Sequence, residues 1–261
     1  MARSRPQAQQ LELPKLHRKR DKNGQWRGGA RPGAGRPKHD GKQGRPRRTA
    51  ELHVVRPRLR ASEPVHVVMR AHPDVGSLRT HEVFRAIRAA TLVAFRAERE
   101  FHIVHLSIQG SHVHLIVEAT NRMALARGMQ GFAISAARHI NATIGARTGK
   151  KRTGTVFADR YHAVILRTPT QVRNTISYVL NNWRHHGEDR RPLRHPWKID
   201  PYSTALVFDG WKERDERGTL FRMPPGYDGL LVWRPKTWLL RIGWRKRGLI
   251  SIYEVPGQAP E

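Results

Sequence analysis

FHIVHLSIQGSHVHLIVEA, residues 101–119, is the stretch whose reading decides the fold. Its two apolar runs, 101–109 and 112–119, are separated only by Gly110 and Ser111, the length of a two-residue hairpin loop. Two adjacent antiparallel strands follow. Successive side chains of a strand point to opposite faces, so His112 and His114 become neighbours on one side of the second strand. A pair of neutral imidazoles can hold a divalent metal. His66, His102, His105, His139 and His162 also fall in regular elements, however, and each has an ordinary structural reading, so the pair alone decides nothing.

Working outward, PVHVVMR (64–70) is valine-rich and reads as a strand. Residues 78–100 place Val83, Ile87, Ala90 and Ala94 at helical spacing with basic residues opposite. After the hairpin, residues 122–145 form an Ala-rich second helix, with Gly128 and Gly131 weakening its first half. TVFADRYHAVILR (155–167) reads as a further strand or a bent pair. Thr168, Pro169 and Gln171 then have the form of a helix start: hydroxyl N-cap, proline at the first position, glutamine at the third. The helix that follows, about 169–186, carries Tyr178 and Asn182. The order strand, helix, strand, strand, helix, strand, helix predicts an α+β fold, a ferredoxin-like βαββαβ antiparallel sheet with one added C-terminal helix.

The flanks differ in texture. Residues 1–50 hold fifteen Lys or Arg against three Asp or Glu, a net +12 (15 − 3). They bury too little apolar surface to offset ordering entropy and are expected to be disordered when free. Two GRP triplets, 35–37 and 44–46, partly resemble AT-hooks, with Arg31, Arg36, Lys38, Arg45 and Arg47 as DNA contacts, although the arginine before each glycine is missing. A generic phosphate-binding tail is the plainer reading. Residues 188–261 contain five of the seven tryptophans and suggest a small packed subdomain. The expected division is therefore a basic tail (1–50), a central domain (51–187) and a Trp-rich basic extension (188–261).

The whole chain of 261 residues carries a formal charge of +28, which points to a polyanionic partner, nucleic acid before an anionic membrane. The absence of cysteine removes disulfides, thiol nucleophiles and cysteine zinc fingers. No apolar run is long enough to span a membrane, and MARSRPQAQQ lacks a secretory h-region. A cytoplasmic, bacterial nucleoid-associated protein without a membrane partner is expected.

Tyr178 and Asn182 are four apart, hence on one helical face. An amide oxygen beside two imidazoles would give a metal three protein ligands and leave positions for phosphate oxygens. A tyrosine there is a suitable nucleophile for a phosphodiester, because the phosphotyrosine can later be displaced by a hydroxyl without ATP.

GSHVHLIVEA, GMQGF, TVFADRYHAVILRTP and YVLNNWRHH together resemble the REP-associated tyrosine transposases of the single-tyrosine HUH superfamily, over roughly residues 63–187. The resemblance implies His112 and His114 as metal ligands with Mg2+ or Mn2+, Tyr178 as nucleophile and Asn182 as the completing amide, with the adjacent Asn181 left open. It implies a homodimer acting on hairpin-bearing single-stranded DNA, as an endonuclease and strand transferase with a 5′-phosphotyrosine intermediate. Ser111 stands where relatives usually have asparagine, and NNW (181–183) where many have Asn-Pro. Tyr161 is the competing tyrosine. Lys150, Lys151, Arg152 and Arg160 are expected phosphate contacts, with a solvated basic face as their plain alternative. A domesticated, non-cleaving DNA-binding protein and an RNA-associated module are the competing functions.

Overall fold

The computed structural model describes residues 57–97, 100–190, 198–214 and 226–256. The basic tail, with Arg31, Arg36, Lys38, Arg45 and Arg47, lies outside these residues. Seven elements carry the centre of the fold: β1 (Val65–Arg70), α1 (His81–Ala97), β2 (Phe101–Ile108), β3 (His112–Ala119), α2 (Arg122–Thr148), β4 (His162–Ile165) and α3 (Pro169–His185). They form one four-stranded sheet in the order β2-β3-β1-β4, with every neighbouring pair antiparallel.

Strand alternation sorts the side chains into two layers. Val65, Val67 and Met69 of β1 and Val113, Leu115 and Val117 of β3 share a buried cluster with Ile87 of α1 and Met129, Phe132 and Ile140 of α2. The opposite face presents His66 and Val68 from β1 and His112, His114 and Ile116 from β3. There Val172, Ile176, Val179 and Leu180 of α3 pack with Ile116 and Val104. Helices α1 and α2 therefore cover one face and α3 the other. Val104 reaches the α3 side through a bulge between Ile103 and His105, which inserts one residue and resets the alternation.

Local chemistry fixes the ends of α2 and α3. Asn121 caps α2 by accepting from the amides of Met123 and Ala124 at 2.8 and 3.0 Å. α2 runs unbroken through both glycines, and at Gly128 an added Cβ would collide with the Phe101 ring. Thr168 and Gln171 complete the capping box expected of α3.

The segment 155–167 is bent. Phe157 makes an isolated bridge to Ala71, and only His162–Ile165 forms a strand. Among the described residues the extension builds no core of its own: Phe208, Trp211, Leu240, Trp244, Ile250 and Ile252 belong to the α3 cluster. It also shields the β2 edge, where Trp233 N donates to Ile103 O at 2.8 Å and Ile108 N to Tyr202 O at 2.9 Å. Covering an edge in this way satisfies its ladder groups and removes a site of chance pairing. Among the described residues no helix is long and apolar enough to cross a membrane.

Candidate active site: a tyrosine over paired histidines

α3 presents three stripes. Val172, Ile176 and Val179 face the core. Arg173, Ser177, Asn181 and Arg184 grip the C-terminal segment: Arg173 and Ser177 bond the Glu254 carboxylate, Asn181 Nδ2 donates to Ser251 O at 2.9 Å, and Arg184 Nε donates to Ile252 O at 2.6 Å. Tyr178, Asn182 and His186, spaced by four, form the third stripe and face the histidines of the sheet.

His112 and His114 stand edge to face with ring centroids 4.6 Å apart. The Tyr178 ring lies 5.1 Å from that of His114, and Asn182 Nδ2 is 3.0 Å from His114 Nε2. Four residues that are dispersed along the chain, His112, His114, Tyr178 and Asn182, thus meet on one face of the sheet. The adjacent asparagines are separated by one helical step of about 100°, which turns Asn182 to the imidazoles and Asn181 to the C-terminal segment. Tyr161 is partly buried against the α1/α2 cluster, across the sheet from Tyr178.

Three further side chains join the group. His66, on β1, places Nε2 3.2 Å from His114 Nδ1 and stacks on its ring at 5.3 Å. Ser111 Oγ lies 3.2 Å from His112 Nδ1. His186 sits 5.7 Å from His112, ring to ring. The 178/182/186 spacing could have revealed His186, whereas His66 depends on the β1–β3 register and Ser111 on loop geometry that no spacing encodes.

Burial holds these imidazoles neutral. His114 is pushed down to about 2, and His66 and His112 to about 4, in each case chiefly by desolvation. Burial also raises the Tyr178 phenol above its ordinary value. Asn182 is completely buried, and its Oδ1 has no hydrogen-bond partner, an expensive arrangement for a polar atom. Its Nδ2 occupies the neighbouring place on the amide, and a half-turn about the last side-chain bond would exchange the two. The 3.0 Å gap to His114 Nε2 is about the separation of two donors set at right angles around one ion at roughly 2.1 Å. Among the described residues no trio of His, Cys, Asp or Glu is placed to hold a metal.

Three of the expected phosphate contacts, Lys150, Lys151 and Arg152, lie just beyond α2. Lys150 and Lys151 are exposed, on the layer across the sheet from Tyr178. The Arg152 guanidinium bonds Asn141 Oδ1 and Thr155 O within its own loop. Arg160 is exposed immediately before β4, and its backbone N–H donates to Asp159 Oδ1 at 2.7 Å.

Residues 64–182 match the family described as IS200-like transposase. No curated protein matches the chain significantly. A solved structure of a REP-associated tyrosine transposase bound to a REP hairpin is 15% identical, covers 59% of this chain and 82% of its own, and superposes with a TM-score of 0.41. A Deinococcus radiodurans protein described as a transposase is 13% identical over 55% of this chain and 98% of its own, with a TM-score of 0.33. The family match spans the first strand, the His-Val-His strand, Tyr178 and Asn182, and over these residues the chain is similar to the IS200-like transposases.

Proposed function

We propose that the protein is a metal-dependent single-strand DNA endonuclease and strand transferase acting in transposition or on repeated hairpin elements, with Tyr178 as the nucleophile. The observation that carries this reading is the approach of Tyr178 and Asn182 to His114 on one sheet face, 5.1 Å between rings and 3.0 Å between Nδ2 and Nε2. The ferredoxin-like assignment of the βαββαβ core belongs to the same reading, and the strand order β2-β3-β1-β4 supports it.

His112, His114 and Asn182 would hold the divalent ion, Mg2+ or Mn2+, since two imidazoles and an amide oxygen form a donor set such cations accept. When bound, the ion supplies Lewis-acid polarisation of the scissile phosphodiester. Were His114 to face the ion through Nε2, it would keep its proton on Nδ1 and donate it to His66 Nε2, 3.2 Å away. His66 would then have no free lone pair and would orient His114 without acting as a base. The Ser111 hydroxyl fixes His112 in a similar way through Nδ1.

Burial keeps the Tyr178 phenol protonated, so its proton leaves to solvent on the half-exposed side of the ring as the Oη–P bond forms. The P–O3′ bond breaks, the 3′ oxygen takes a proton, and the 5′ phosphate stays on Tyr178. Attack of a second 3′-hydroxyl reverses these steps and releases Tyr178. Hairpin-bearing single strands are the proposed substrate, and a homodimer the proposed assembly.

Purified protein mixed with hairpin-bearing single strands from the DNA flanking its own coding region, with Mg2+ or Mn2+, should give a denaturation-resistant protein–DNA adduct. Tyr178→Phe should abolish the adduct while retaining DNA binding. Binding by both proteins without any adduct would favour the non-cleaving alternative, and tighter binding of structured RNA than of DNA hairpins would favour the RNA-associated one.

A further inference from the structure

We infer that the surface formed by residues 237–249, in the Trp-rich extension and outside the family match, is a second binding site whose ligand is single-stranded DNA. This rests on the reading above only for the identity of the nucleic acid.

Trp238 opens the short helix α4 (Trp238–Arg241). The residue is 49% exposed, a costly position for an indole that packing does not require. Yet the ring is held in place. A Cβ at Gly243 would stand 2.7 Å from Trp238 Cζ3, so only glycine lets the indole lie against that backbone. Lys246 Nζ sits 5.3 Å from the ring centroid. Upstream, the amides of Lys236 and Thr237 both donate to the buried Glu118 carboxylate, at 2.9 and 2.7 Å, which ties the start of the helix to β3. Trp238 is therefore a fixed aromatic surface and not a loose side chain.

Further cations lie close to it in sequence. Arg241, Lys246 and Arg247 are exposed, and none has an acidic partner among the described residues. Arg245 differs, because Asp209 holds it at 2.6 Å and it covers Trp244 at 4.7 Å. Three free cations close in sequence to a rigid half-exposed indole suit a polyanion that carries planar faces beside its charges. Single-stranded nucleic acid has that composition: bases stack on the aromatic ring while phosphates meet Lys and Arg. Exposed Ile242, next to Trp238 across one helical turn, extends the apolar contact.

The place of this surface also fits a role beside the tyrosine. The end of this surface, Gly248 and Leu249, accepts from the Arg173 guanidinium at 3.3 and 2.9 Å, and Arg173 lies five residues before Tyr178 on α3. A strand held at 237–249 is thereby anchored on the helix that carries the nucleophile.

The test uses the full chain carrying Tyr178→Phe, in EDTA, so that neither cleavage nor metal binding contributes. Affinity for a fluorescent oligothymidylate is measured at several salt concentrations, with Trp238→Ala, Trp238→Phe, and the double variant Arg241→Gln/Arg247→Gln. Trp238→Ala should weaken binding about tenfold or more, and Trp238→Phe should restore most of it. The double variant should reduce the slope of log affinity against log salt by about 1.4. Because both arginines are exposed, their result stands even if Trp238→Ala fails to fold. Photocrosslinking of an iodouracil-substituted strand to the peptide containing Trp238 would support the site directly. Unchanged affinity and salt slope in both sets overturn the proposal. So does equal weakening on fully duplex DNA, or Trp238-dependent binding of phosphatidylserine vesicles without binding of the oligonucleotide. A missing phosphotyrosine adduct in the wild type would overturn the proposed chemistry and leave this measurement untouched.

Discussion

Two adjacent asparagines divide the labour of α3 between stability and chemistry, and they can be separated by experiment. Asn181 donates to Ser251 O at 2.9 Å and holds the C-terminal segment. Asn182 is buried with one contact to His114 and an orphaned Oδ1. Leucine has nearly the shape of asparagine but no polar atoms. Asn182→Leu removes one hydrogen bond and one unsatisfied oxygen together, so stability should change by no more than about 1 kcal/mol. Adduct formation should fall by roughly a hundredfold or more, since a metal donor is lost. Asn181→Leu removes a hydrogen bond to the Ser251 carbonyl, which keeps only the Glu254 amide at 3.2 Å, and should cost about 0.5–1.5 kcal/mol with the folded fraction still active. Thermal melting and adduct assays on both variants check the split, and equal effects of the two on activity would refute it.

At the scale of elements, α2 holds a second paired test. Gly128 abuts Phe101, with an added Cβ only 2.1 Å from Cγ, whereas nothing lies within 4 Å of Gly131. Both glycines cost helix propensity, and alanine at either would recover about 1 kcal/mol. At Gly131 that gain should appear as a higher melting temperature. At Gly128 overpacking of β2 against α2, typically about 1–3 kcal/mol, should outweigh it and lower the midpoint; a rise at Gly128→Ala would show that Phe101 can move aside. The contrast also explains what the sequence could reveal. Periodicity announces helices and strands because each amphipathic element repeats its own face, and the capping box at Thr168 is a local signal. Gly128 weakened a helix that tertiary packing in fact requires, and no local pattern distinguishes it from Gly131. The bend in 155–167 and the β2 bulge at Val104 likewise depend on neighbours in space. Tyr178 and Asn182 were legible through their four-residue spacing, while His66 needed the strand register. The extension, made of 3-10 turns and isolated bridges, has no period to read.

At the scale of the whole molecule, the extension and the sheet share one core, and the link between them titrates. His105 on β2 is buried against Phe208, ring centroids 5.5 Å apart, with Nδ1 3.4 Å from Thr204 Oγ1. Burial lowers its pKa from 6.5 to about 4. Between those values the unfolded chain binds a proton that the folded protein refuses, so stability rises with pH in this window. The contribution is fully present above about pH 6.5 and is lost as pH falls toward about 4, a total on the order of 3 kcal/mol from this one side chain. His66, His112 and His114, also held neutral by burial, act in the same direction, so the protein should be markedly acid-labile. His105→Gln cannot titrate and should flatten the dependence of unfolding free energy on pH between 6.5 and 4 by about one proton, some 1.4 kcal/mol per pH unit. Denaturant melts at half-unit pH steps measure that slope for both proteins. Parallel slopes would mean that His105 charges in the folded state, which requires water to enter between β2 and the extension before the molecule unfolds.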